Sequence, residues 1–230
     1  MRDAASISEP ADSLKRPYAL VAVLALAWSA RVALAPASDL AIADADIARI
    51  ASEVWRGAIW LVLPLVWLRY AGRVDPRVAI DQRPGWWPWA AWPAVVALTV
   101  ASRALEVVAG GQWVAIPPVP VAGFVVAATS LMFTALCEEW VFRGLLLKAL
   151  SRRHGFGRAN AIQALLYGAI LVPGWLMLVE FDIGTYAYLL ASVVLYAALL
   201  GGLVRFSGTL WPALAARFLN DLLQGFGFPG

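Results

Sequence analysis

Two short runs place charge where the sequence is otherwise apolar. The first is Cys137-Glu138-Glu139-Trp140-Val141-Phe142-Arg143-Gly144, and the second is Arg217-Phe218-Leu219-Asn220-Asp221. On a helix, Glu139 and Arg143 are spaced to pair along one face, and so are Arg217 and Asp221. Glu138 has no such local partner and must turn to water or to another helix. A carboxylate holding a water is the core of general-base hydrolysis. A guanidinium facing it offers fixed N–H donors for a developing oxyanion. Cys137 beside Glu138 suggests a thiol nucleophile, but an apolar interior opposes the thiolate, and consecutive helical residues point about 100° apart. It reads as a buried, inert cysteine.

The elements that must position these groups follow from composition. Of 230 residues, 62% are apolar and only 14% charged, too little polar surface for a soluble domain of this size. A bilayer core needs about 20 mostly apolar residues per helix. Seven segments meet that requirement: Pro17–Ala37, Val54–Tyr70, Trp86–Val108, Val121–Leu147, Ala159–Val179, Thr185–Val204 and Gly208–Phe226. The sequence therefore predicts an all-α fold, a polytopic transmembrane helical bundle of about seven transmembrane helices. Residues 1–16 read as a mobile cytoplasmic tail ahead of a single transmembrane domain, 17–230. The first apolar run is too long for a signal-peptide core, carries Arg31, and reads as a retained helix.

Charge alternates between the linkers. The tail, the second, fourth and sixth linkers carry Arg2, Lys15, Arg16, Arg69, Arg73, Arg77, Arg83, Lys148, Arg152, Arg153, Arg158 and Arg205, most of the 18 basic residues. The remaining linkers are acidic or neutral. By the positive-inside rule the N-terminus is cytoplasmic, in the cell's inner membrane. The same distribution argues against nucleic acid as a partner, because the basic residues sit in short linkers between apolar runs. The lipid bilayer is the expected partner. His154, the single histidine, falls in the Arg152–Arg158 linker and reads as a solvated loop residue. The tract Pro84–Pro93, with Trp86, Trp87, Trp89 and Trp92, reads as an interfacial anchor.

At about 1.5 Å per residue, Glu138 and Arg217 each lie roughly 14 Å from the cytoplasmic edge of their helices. Two charged clusters at one depth imply a shared polar cavity. The alternative is that each helix neutralises itself, which leaves Glu138 uncompensated. Lacking imidazole or paired thiolates, the cluster is not expected to hold a metal, and no cofactor is expected.

With these residues in place, the sequence resembles the CPBP family, the CAAX-processing and bacteriocin-processing type of intramembrane endopeptidase. Glu138-Glu139-x-x-x-Arg143 with Gly144 matches the family's Glu-Glu-x-x-x-Arg motif. Ser207–Ala213 resembles the approach to its final helix, and the family-like core spans about 121–223. The resemblance implies a glutamic intramembrane peptidase acting on a membrane-anchored peptide or protein. It also implies catalytic-site roles for Glu138 as base and for Glu139, Arg143 and Asp221 as supports. Both family histidine positions differ: Tyr167 takes the aromatic position of the Phe-x-x-x-His motif, Leu171 its histidine, and Arg217 the histidine of the last helix. The resemblance is thus also compatible with a catalytically silent scaffold or regulatory protein, and a transporter is a weaker third reading, since no pair of broken helices is evident.

Overall fold

The computed structural model describes residues 15–41, 51, 54–71, 92–108, 121–178 and 182–227. The tail before Lys15, most of the tryptophan-rich tract and the Gly110–Pro120 stretch lie outside the described residues. Long apolar runs favour helix in a membrane, and the elements are α1 (Lys15–Ala41), a π turn (Ala58–Val62) leading into α2 (Leu63–Ala71), and α3 (Trp92–Val108). They continue with α4 (Val121–Glu139), a second π turn (Trp140–Leu146), α5 (Leu147–Leu178), α6 (Ile183–Ser207) and α7 (Trp211–Gly227). Among the described residues there is no strand. The fold is an all-α membrane bundle.

Its surface carries the membrane signature. Leu26, Val62, Val100, Val125, Leu165, Leu195 and Trp211, drawn from all parts of the bundle, are each more than half exposed. Meanwhile Glu138, Glu139, Arg143 and Gln163 are buried. That inversion suits a chain whose outer solvent is hydrocarbon.

The sequence-based boundaries need three corrections. The segment Lys148–Arg158, expected to be a loop, is helical on both sides of one bend at Gly155 (φ 70, ψ 162). That backbone region is open essentially to glycine alone, so Gly155 turns the chain without an extended linker. His154 accordingly sits in a helical turn, half-buried, rather than in a solvated loop. The fourth span is not uniformly α-helical, since the π turn begins directly after Glu139. The final helix starts at Trp211 rather than Gly208, because Gly208 is the left-handed cap of α6 (φ 71), its N–H bonded to Val204 O at 2.9 Å.

Helix α7 packs on α3, α4 and α6, while α5 packs on α1 and α6. The α5–α6 seam is built from small residues and polar ties. A Cβ at Gly201 would fall 1.9 Å from Asn160 Oδ1, so only glycine admits this approach. Asn160 Nδ2 donates to Ala198 O at 2.9 Å, and Gln163 Nε2 donates to Ala197 O at 3.2 Å. Small residues and interhelical hydrogen bonds are what hold helices together in lipid, where hydrophobicity gives no drive.

Replacing Gly201 with Ala is expected to cost about 1–3 kcal/mol by overpacking. Gly202→Ala, where an added Cβ meets nothing within 4 Å, is expected to be neutral or slightly stabilising. Thermal unfolding in detergent checks the contrast between neighbouring sites.

The loop before α6 has its own cap. Thr185 Oγ1 donates to Asp182 Oδ2 at 2.5 Å, and the Gly184 and Thr185 N–H groups donate to Oδ1 at 2.8 and 3.1 Å. The Thr185 hydroxyl, then the backbone donors, hold this carboxyl below its usual range. A lowered folded-state value means the cap contributes fully above the unfolded value of about 3.9 and is lost as pH falls through the folded value. The destabilisation caused by Asp182→Ala is therefore expected at pH 7 and should shrink as melts are repeated toward pH 3.

Candidate active site

Glu138 and Glu139 end α4, and the π turn that follows changes the helical register beneath them. The i→i+5 turn opens the helix locally, a feature frequent at functional positions. Phe142 and Arg143, both fully buried, come from this turn and reach α5. Phe142 meets the ring of Tyr167 edge-on at 4.9 Å, and the Arg143 guanidinium lies 4.9 Å from the same ring centroid. Arg143 Nη2 also donates to Ala197 O at 3.4 Å, which ties α4 to α6.

The paired glutamates have different surroundings. Glu139 Oε1 is 2.9 Å from Arg143 Nη1, as its spacing predicts. Those atoms lie off the hydrogen-bond line, so the attraction is coulombic rather than directional. Glu138 looks across the bundle. Tyr167 Oη on α5 donates to Glu138 Oε2 at 2.7 Å, and Arg217 Nη2 on α7 approaches the same oxygen at 3.4 Å. Both contacts fall on Oε2.

Arg217 is itself held. Its Nε donates to Asp221 Oδ2 at 2.8 Å one turn further along α7, and its guanidinium lies 5.6 Å from the Tyr167 ring. Tyr196 Oη on α6 donates to Ala216 O at 3.0 Å, bracing the backbone beside Arg217. The Arg217 side chain keeps 17% of its surface exposed and Asp221 11%, so the cluster is not sealed.

All four residues singled out as catalytic candidates lie in or beside this cluster. Arg217 meets both Glu138 and Asp221, while Arg143 of the Glu139–Arg143 pair reaches α6 at Ala197 O. Leu171, one turn beyond Tyr167, packs half-buried against the core. Sequence reasoning missed the Tyr167 hydroxyl, having assigned that residue only an aromatic position. The available signal was chemical: a phenol on an apolar helix needs an acceptor, and the nearest uncompensated one was Glu138. It also missed Arg56, whose Nη1 donates to Thr134 Oγ1 at 3.1 Å, one turn before Glu138. Among the described residues no group of three or more His, Cys, Asp or Glu side chains is arranged to hold a metal ion; the cations facing these carboxylates are guanidiniums.

Residues 118–223 match the family model described as type II CAAX prenyl endopeptidase Rce1-like. By that match, the second half of the chain is similar to the CAAX-type endopeptidases. The matched stretch contains every residue of the cluster just described. The chain is also similar to the multidrug transporter MdfA of Edwardsiella ictaluri (strain 93-146), 36% identical over 114 residues. That alignment covers 46% of this chain and 27% of the transporter, so it spans about a quarter of that curated relative. Within the matched region, Tyr167 and Arg217 stand as the donors to Glu138.

Removing one partner of a buried ion pair strands the other charge, typically at a cost of about 3–5 kcal/mol. Arg143→Met is therefore expected to destabilise by that order, since Glu139 is almost wholly buried. Adding Glu139→Gln should recover most of the loss. Denaturation of the single and double variants in the same detergent measures both.

Proposed function

We propose that the protein is an intramembrane endopeptidase of the CAAX type, hydrolysing a peptide bond in a membrane-associated peptide or protein. The observation that carries this reading is the convergence of Tyr167 and Arg217, the latter held by Asp221, on Glu138 from two other helices. In this reading Glu138 is the general base. Its Oε1 takes a proton from a water in the cavity while Oε2 stays fixed by Tyr167. The resulting hydroxide attacks the peptide carbonyl carbon, and the carbonyl oxygen becomes an oxyanion. Arg217 stabilises that charge, oriented by Asp221 through its Nε. Glu138 then returns the proton to the departing amine, which closes the proton balance. Glu139 and Arg143 support the site from behind by fixing the π turn on α6.

The proposed setting is a single transmembrane unit from residue 17 onward, crossing the cytoplasmic membrane about seven times with the N-terminus inside. The linker charges and the apolar segments support this arrangement. The membrane pocket then opens near the cytoplasmic leaflet, where a lipid-anchored substrate is concentrated.

A second reading has its own observation. Leu171 and Arg217 occupy the positions where the family pattern has histidines, so this chain lacks two water-organising groups. A catalytically silent scaffold that keeps the cavity for binding accounts for that loss. No transport activity is proposed from the similarity to the multidrug transporter, because it spans so little of that protein.

The two readings separate by assay of reconstituted protein on membrane-anchored peptides. For a peptidase, Glu138→Gln is expected to lower turnover about 10²–10⁴-fold, the usual worth of a general base. Tyr167→Phe should cost about 10-fold or more, as expected for a hydrogen bond to a charged group. Leu171→His with Arg217→His is expected to raise the rate. Cleavage that survives Glu138→Gln contradicts the peptidase reading, and no cleavage in the double-histidine variant favours the scaffold.

A further inference from the structure

A second charged feature lies away from the glutamate cluster and takes no part in the proposed chemistry. The bend of α5 and the end of α6 together carry Lys148, Arg152, Arg153, Arg158 and Arg205. Arg152, Arg158 and Arg205 are exposed. The two segments are joined where the Arg205 guanidinium lies 5.8 Å from the Phe156 ring. The chain has no acidic residue between Glu139 and Glu180, nor between Asp182 and Asp221. Arg152, Arg158 and Arg205 therefore have no acid on their own segments. No ion pair among the described residues involves Arg152, Arg158 or Arg205.

Space and surroundings narrow the partner. A Cβ built at Gly155 or Gly157 meets nothing within 4 Å, so the bend presents open backbone between the arginines. Exposed apolar groups stand on the same two helices, Phe206 next to Arg205 and Leu165 two turns along α5 from Arg158. Positive charge bordered by hydrocarbon-facing side chains complements a molecule with an anionic head and an apolar tail. Arginine suits phosphate oxygens in particular, since its planar fork can bind two at once. A free anion would have no use for the apolar border.

We propose that the α5 bend and the C-terminal end of α6 form a binding surface for the headgroup of an anionic phospholipid. Arg152 and Arg158 contact the phosphate from one helix and Arg205 from the other, while the acyl chains lie along the exposed apolar faces. The surface fixes the depth and tilt of α5 and α6 at one leaflet. Its existence does not depend on peptidase activity.

The test uses the full chain purified in a neutral detergent. Thermal unfolding is followed with added phosphatidylglycerol, phosphatidylcholine or inorganic phosphate at equal concentration. Phosphatidylglycerol is expected to raise Tm by about 3 °C or more over phosphatidylcholine, as selective binding to the folded state requires. Inorganic phosphate should leave Tm unchanged. The variant Arg152→Gln/Arg158→Gln/Arg205→Gln should lose most of the difference, and Arg205→Gln alone should lose part of it. Replacing the same three arginines with Lys should retain part of it, more than the Gln variant, because the charge stays while the planar fork is lost. A wild-type-sized shift in the triple Gln variant, or an equal shift from phosphatidylcholine, would overturn the proposal. An equal shift from inorganic phosphate would overturn it in favour of a free-anion site.

Discussion

Placing the Glu138 carboxylate inside a bundle bathed in lipid costs several kcal/mol unless other helices bring it donors and positive charge. Tyr167 supplies a 2.7 Å hydrogen bond from α5, and Arg217 supplies the charge from α7. Both therefore oblige three helices to meet at one depth. The rest of the bundle can be understood as holding that meeting in place. Asp221 fixes the guanidinium, Tyr196 fixes the backbone beside it, and the glycine-lined α5–α6 seam brings Tyr167 close enough to reach across. Arg143 lies at the back of the same arrangement, against the ring of Tyr167 and the carbonyl of Ala197.

An arginine in this position has a double consequence for chemistry. It sets a positive charge 3.4 Å from Glu138 Oε2, and it has rigid N–H donors of the kind that can hold an oxyanion. An arginine also cannot shuttle protons at physiological pH. The tyrosine partly offsets this by fixing one carboxylate oxygen, so that a single oxygen remains for water. The cluster thus trades proton mobility for electrostatic order.

Much of this was legible in the sequence, for physical reasons that can be named. Apolar run length decides which segments are helical in a membrane, and the rise per residue put Glu138 and Arg217 at one level before any coordinates. Spacing of four residues gave the Glu139–Arg143 and Arg217–Asp221 pairs. What could not be read depended on contacts between helices. The π turn at Trp140–Leu146 is a register choice made by the packing of Phe142 and Arg143 on α5 and α6, not by local propensity. The helical character of Lys148–Arg158 was hidden because its charges imitate a loop, while a single glycine does the turning. The hydroxyl of Tyr167 was hidden because its partner lies 29 positions away in sequence.

The central claim is that Glu138 and Arg217 are energetically coupled across the bundle. A double-mutant cycle measures this directly, using the unfolding free energies of wild type, Glu138→Gln, Arg217→Leu and the double variant in one detergent. The account predicts a coupling of about 1 kcal/mol or more, with the double variant less damaged than the sum of the singles. Additive effects, within about 0.3–0.5 kcal/mol, would show that the two side chains do not meet and would contradict it.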